Sequence, residues 1–185
     1  DVLNEKFGRA RVLGGVAKIA VTLTPDGVIK HLNDWRYLSF GEQDGTLSPR
    51  VTALKAIFDK TSIQATASES IMQIMWEKIV HLATVAGMTC TMRASVGEIA
   101  RTQYGAEIMV EFLERNAEIA RREGFGPSDS FMTDYRKLFR NKELPYTASM
   151  LRDIEREGMI EGDHVLGFML RKAVEHKIDP TYHRF

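Results

Sequence analysis

Hydrophobic and polar positions along this chain divide it into two parts. From Val12 to Thr24 the residues are mostly Val, Leu, Ile, Ala and Thr, which suits a buried β-strand. Pro25, Asp26 and Gly27 supply turn chemistry, and Val28–His31 reads as a second strand. Tyr37–Gly41 reads as a third, with Tyr37, Leu38 and Phe40 ahead of a Gly/Asp-rich loop. Val51, Leu54, Ile57 and Phe58 carry helical spacing over residues 50–59, and Ile63–Ala67 closes the segment as a short strand. After Glu69 the pattern is helical almost throughout. Helices are predicted at 69–86, 107–123, 129–141, 149–157 and 164–176, punctuated by Gly124, Gly126-Pro127, Pro145 and Gly158. The result is a mainly α chain: a β-rich segment (1–67) followed by a helical domain (68–185).

Composition adds mostly exclusions. Lys plus Arg equals Asp plus Glu at 25 each, so there is no basic excess to suggest a nucleic acid or an anionic membrane as partner. No apolar run approaches the roughly 20 residues that cross a bilayer. The single cysteine, Cys90, fits a reducing cytoplasm. The five histidines show no ligand spacing with carboxylates or Cys90, so no metal site is expected. The Gly14-Gly15 pair suggests close backbone approach, because no phosphate loop follows it.

Two stretches carry candidate chemistry. At 100° per residue, Ile71, Ile74, Met75, Lys78, Leu82 and Val85 share one helix face. Lys78 therefore stands in mid-stripe, where desolvation would make its ammonium a better proton donor; the alternative is a stem that covers apolar surface while the amine reaches water. In residues 145–167, Ser149 lies at or near a helix start, where a hydroxyl and unpaired N–H groups suit a carboxylate. Plain N-capping by Thr147 or Ser149 would account for the same residues. Glu161 and Asp163 precede another helix, where acids complement the dipole.

Together these stretches resemble the ketopantoate reductase (2-dehydropantoate 2-reductase) family. Trp76-Glu77-Lys78 is similar to the site of the family's catalytic lysine. Ser149-Met150-Leu151-Arg152-Asp153-Ile154, then Glu161-x-Asp163 and Gly167, resembles its S-M-x-x-D…E-x-D-x-x-x-G signature. The stretch from Phe7 to His31 resembles the end of the family's nucleotide-binding domain. The resemblance implies that residues 1–67 are the β-rich tail of a Rossmann-type NADP-binding domain, and that 68–185 form the substrate-binding and dimerisation domain. It implies Lys78 as general acid, Ser149 as ligand of the substrate carboxylate, and Glu161 as a contact to substrate and to the cofactor side of the cleft. The cofactor implied is NADPH, the substrate a 2-oxo acid and the assembly a homodimer.

Two departures matter. Leu82, Ala86, Tyr146 and Leu166 stand where the family has asparagines, which points to a less polar 2-oxo acid or ketone. The chain opens at Asp1 without the family's strand–GxGxxG–helix, so these residues alone are expected to bind NADPH poorly and to self-associate through unpaired strand edges. The rival readings are a non-catalytic helical dimerisation module of the same fold, and a hydroxyacid or polyol dehydrogenase sharing the helical domain.

Overall fold

The structure, a computed structural model, describes residues 2–24 and 26–184. Pro25 of the expected turn lies outside the described residues. The chain separates into two compact units, residues 1–75 and 76–185.

In the first unit, helix α1 (Val2–Phe7) leads through a short 3-10 turn into β1 (Leu13–Lys18). Strand β1 runs antiparallel to β4 (Tyr37–Glu42), with Leu13 opposite Glu42 and Lys18 opposite Tyr37. Strand β4 is in turn parallel to β5 (Gln64–Ala67), and helix α2 (Pro49–Phe58) makes the crossover between them. A parallel pair needs such a crossover, and β4–α2–β5 is a complete β-α-β unit. Ser48 caps α2 by accepting from Val51 N at 3.3 Å, with Pro49 at the first helical position.

The strand expected over 12–24 is two strands. Strand β2 (Val21–Leu23) leaves β1's sheet and pairs with β3 (Ile29–His31) in a separate antiparallel hairpin. Nor is that hairpin buried as its apolar residues suggest: Leu23 and Ile29 are exposed. Gly14 is explained by packing. A Cβ there would sit 2.9 Å from Ile71 Cγ1 and 3.0 Å from Met75 Sδ, so a bare backbone is needed where this strand meets the start of a helix.

That helix, α3 (Ile71–Met92), is 22 residues long and runs six residues past its expected end at 86. In the second unit it packs with α4 (Val96–Arg101), α5 (Gly105–Arg122), α6 (Asp129–Phe139), α7 (Ser149–Glu155) and α8 (Phe168–Glu175). The shared core includes Trp76, Val80, Ala83, Phe112, Leu113, Ile119 and Phe139, with Met88, Met109, Met132, Met150 and Met169 among them. A buried polar chain crosses this core. Thr84 Oγ1 donates to Val80 O (2.8 Å) and accepts from Asn116 Nδ2 (3.0 Å), whose Oδ1 lies 2.9 Å from His183 Nε2. No described helix is long and apolar enough to cross a membrane.

Candidate active site

Helix α3 is apolar on two opposite faces, and they have different fates. Trp76, Val80, Ala83 and Thr84 form the buried face. Lys78, Leu82, Val85 and Ala86 lie on the other side, which is half-open at Lys78 and Leu82 and becomes buried at Val85 and Ala86. Lys78 is thus half-buried at the open end of its stripe, and the deep desolvation expected from the sequence pattern does not hold. The pattern could not tell the two faces apart, because both are apolar.

What closes the far end of this face is the irregular segment at residues 142–148. Its carbonyls take up the first N–H groups of α4: Val96 N donates to Tyr146 O and Gly97 N to Leu144 O, both at 2.9 Å. The backbones approach so closely that a Cβ on Gly97 would lie 2.6 Å from Lys142 O and 2.9 Å from Leu144 O. Ala148 N donates to Thr89 Oγ1 at 3.2 Å, which fastens the segment to α3. Tyr146 is held by its hydroxyl, 2.9 Å from His81 Nε2, and burial pushes its phenol up to about 12. It is therefore neutral at physiological pH.

Helix α7 begins directly after this segment. Its N-cap is Ala148, with no side-chain capping bond, so the capping role expected for Thr147 or Ser149 is not what these residues do. Ser149 is the first helical residue and is exposed, and among the described residues its hydroxyl has no hydrogen-bond partner. Glu161 precedes a π-helical turn (Asp163–Gly167), not a regular helix start, and its carbonyl accepts from Val165 N at 3.0 Å. Such one-turn π segments commonly reposition side chains beside functional sites. Asp163 pairs with Arg171 at 3.0 Å.

These elements enclose a cavity of about 310 Å3. Leu82, Val85 and Ala86 of α3, with Val165, line it with apolar surface; Tyr146, Thr147, Ser149, Arg152, Asp153 and Glu161 bring the polar groups. Ser149 and Glu161, far apart in sequence, meet at this one cavity. Lys78 does not line it, but lies on the same helix face one turn before Leu82. Of the four apolar positions noted above, Leu82, Ala86 and Tyr146 belong to the cavity. Leu166 faces a second one of about 390 Å3, lined also by Cys90, Ile154, Ile160 and Gly162. Met150 lines both. Burial raises the Cys90 thiol above its ordinary pKa, which makes it a poor nucleophile.

Away from these cavities, His176 comes together with Glu123 and Glu175, a grouping that sequence spacing did not reveal. Their ligand atoms lie within 4.8 Å of one another. Lys172 already bridges the two carboxylates, at 2.9 Å from Glu123 and 3.0 Å from Glu175, so the charge there is balanced by an ammonium.

The family profile described as "Ketopantoate reductase PanE/ApbA C terminal" matches residues 70–185, well over half of the chain. The chain belongs to this family. Among curated relatives, the uncharacterized oxidoreductase YkpB of Bacillus subtilis is 28% identical over 90% of this chain and 55% of its own length. A 2-dehydropantoate 2-reductase of Archaeoglobus fulgidus is 25% identical over 94% of this chain and 58% of its own. The chain therefore spans a little over half the length of the curated relatives it matches. The crystal structure of 2-dehydropantoate 2-reductase from Methylococcus capsulatus superposes with a TM-score of 0.81 at 25% identity, covering 98% of this chain and 62% of that one. The ketopantoate reductase fold and an oxidoreductase-like helical domain are thereby established. The cavity falls wholly within the family-matched region.

Proposed function

We propose that this chain supplies the substrate pocket and the proton donor of an NADPH-dependent, 2-dehydropantoate 2-reductase-like enzyme that reduces a 2-oxo acid to its 2-hydroxy acid. The observation that carries this reading is the convergence of Ser149 and Glu161 on one cavity, whose wall is the helix bearing Lys78 one turn earlier. The rival, a module that has lost its chemistry, predicts a pocket filled by side chains. The cavity is open, and the Ser149 hydroxyl is not consumed by capping. The cytoplasmic setting and the homodimer expected from the sequence belong to the same proposal.

No GxGxxG spacing for cradling the cofactor's phosphates stands among the described residues. The loop from β4 to α2 contains Gly45 but not the GxGxxG spacing, and the N-terminus of α2 is capped by the Ser48 hydroxyl. A reduced nicotinamide, when bound, would supply the hydride for the substrate's C2. This chain's own residues do the rest. Ser149 donates its hydroxyl hydrogen to the substrate carboxylate. The Lys78 ammonium gives a proton to the developing alkoxide oxygen and regains one from solvent, so that C=O becomes CH–OH. Glu161 accepts a hydrogen bond from the bound substrate and holds its orientation.

The test is the Lys78→Ala variant assayed against a panel of 2-oxo acids of graded polarity. A loss of about a hundredfold or more in kcat, with the fold intact, is the expected result. Turnover within a few-fold of the parent would remove Lys78 as the acid, and a parent that reduces none of the panel would favour the non-catalytic module.

A further inference from the structure

Among the described residues that line the 310 Å3 cavity, Arg152 is the one cation, and its guanidinium has no ion-pair or hydrogen-bond partner there. It stands three residues after Ser149 on α7, so the guanidinium and the unpartnered hydroxyl rise from neighbouring positions on one helix face. The Arg152 charge is felt at Tyr146, where it favours the phenolate, whereas the Asp153 charge is felt at Cys90, on the side of the second cavity, where it disfavours the thiolate. Arg152 is exposed, and its charge reaches Tyr146 on a cavity wall that Asp153 and Glu161 line as well. Facing it are Leu82, Val85, Ala86 and Val165, which offer no hydrogen bond to a ligand.

We propose that Arg152 is a substrate-anchoring residue: it binds the carboxylate of the 2-oxo acid as a forked ion pair beside the Ser149 hydroxyl, and so directs an uncharged, apolar substrate side chain onto the Leu82–Val85–Ala86 wall. This rests on the 2-oxo-acid reading and deepens it. Guanidinium suits the task because its paired N–H donors match the two carboxylate oxygens, and because it stays charged at every working pH. The apolar wall selects against substrates with a side-chain hydroxyl, since that group would be buried without a partner. The substrate class is an aliphatic or aromatic 2-oxo monocarboxylate.

Two probes of one shape separate charge from fit: 4-methyl-2-oxopentanoate and its methyl ester. Each is titrated into the protein while the Arg152 Nε–Hε and Ser149 amide resonances are followed by NMR. The acid is expected to bind at least about tenfold more tightly than the ester, the margin of one charge-assisted contact. Arg152→Gln should erase that preference at unchanged melting temperature, and Arg156→Gln, at an exposed arginine off the cavity wall, should keep it. Equal binding of acid and ester, a preference that survives Arg152→Gln, or no saturable binding of the acid would each overturn the anchor. Its failure is separable from that of the reductase reading. Arg152-dependent acid binding without any reduction in the enzyme removes the reductase and keeps the anchor. Reduction with kcat/KM unaltered by Arg152→Gln does the reverse.

Discussion

The Thr89 hydroxyl joins two elements at once: it donates to Val85 O at 2.7 Å and accepts from Ala148 N at 3.2 Å. Both residues are buried, so this bond sets the distance between α3 and the segment that forms the cavity's polar side. Thr89→Val keeps the shape and removes the acceptor, leaving the Ala148 N–H unpaired. A loss of about 1–3 kcal/mol in urea unfolding is expected, and Thr89→Ser should restore most of it.

Gly97 provides a steric test of the same region. A methyl group there would meet Lys142 O and both backbone polar atoms of Leu144 at under 3 Å. These are backbone atoms, so relief requires moving the segment that leads to Tyr146. Gly97→Ala should cost about 1–3 kcal/mol by overpacking, and should weaken binding of 2-oxo acids, whereas Gly124→Ala, with open space around it, should leave binding unchanged. Equal effects of the two substitutions on binding would contradict this account.

Substrate polarity should respond to Leu82. This half-buried side chain lines the cavity where the family resemblance expects an asparagine. Leu82→Asn supplies a donor and an acceptor to that wall. We expect the ratio of kcat/KM for a 4-hydroxylated 2-oxo acid to that for its aliphatic counterpart to rise by at least about tenfold. A ratio that stays put would place Leu82 outside the substrate's reach.

Acid stability should depend on His183. Its ring is 5% exposed, stacks edge-on against Phe112, and has a buried Nδ1 without a partner, so burial pushes the imidazole down from 6.5 to about 4. Above pH 6.5 both folded and unfolded chains hold a neutral ring, and the contribution to stability is complete. As pH falls below that, the unfolded chain takes up the proton first, and stability drains away until the folded ring also titrates near pH 4. The drop is on the order of 3 kcal/mol. Many carboxylates also titrate in this range, so the quantity to measure is the difference between the parent and His183→Gln across the titration. A difference that does not vary with pH would refute the assignment.

How much of this was legible in the sequence varies by element. Helix α5 was found because its apolar residues keep a single face, and the β-rich start followed from its Val, Ile and Thr content. The Ser95–Glu98 capping box would have revealed α4, since Ser95 accepts from Glu98 N while Glu98 accepts from Ser95 N. On α3 the pattern misled, because Trp76 and Val80 on one side and Leu82 and Val85 on the other are equally apolar. The family signature singled out Ser149 and Glu161, but no sequence rule foretold the π turn after Glu161. Asp153 is a named position of that signature and Arg152 an unspecified one, and only the structure brings Arg152 to the cavity wall beside Ser149.

Met150 is the shared wall of the two cavities, and it is an unbranched thioether. A branched residue in that place would be a fixed partition. Methionine can exchange rotamers at little cost, because its three flexible bonds and polarizable sulfur fit many shapes. A ligand with a longer side chain could thus push the partition aside and borrow room from the chamber around Ile154 and Leu166, with the backbone left where it is. The breadth of ligands accepted would then be set by how stiff one interior wall is, and Met150→Ile would narrow it.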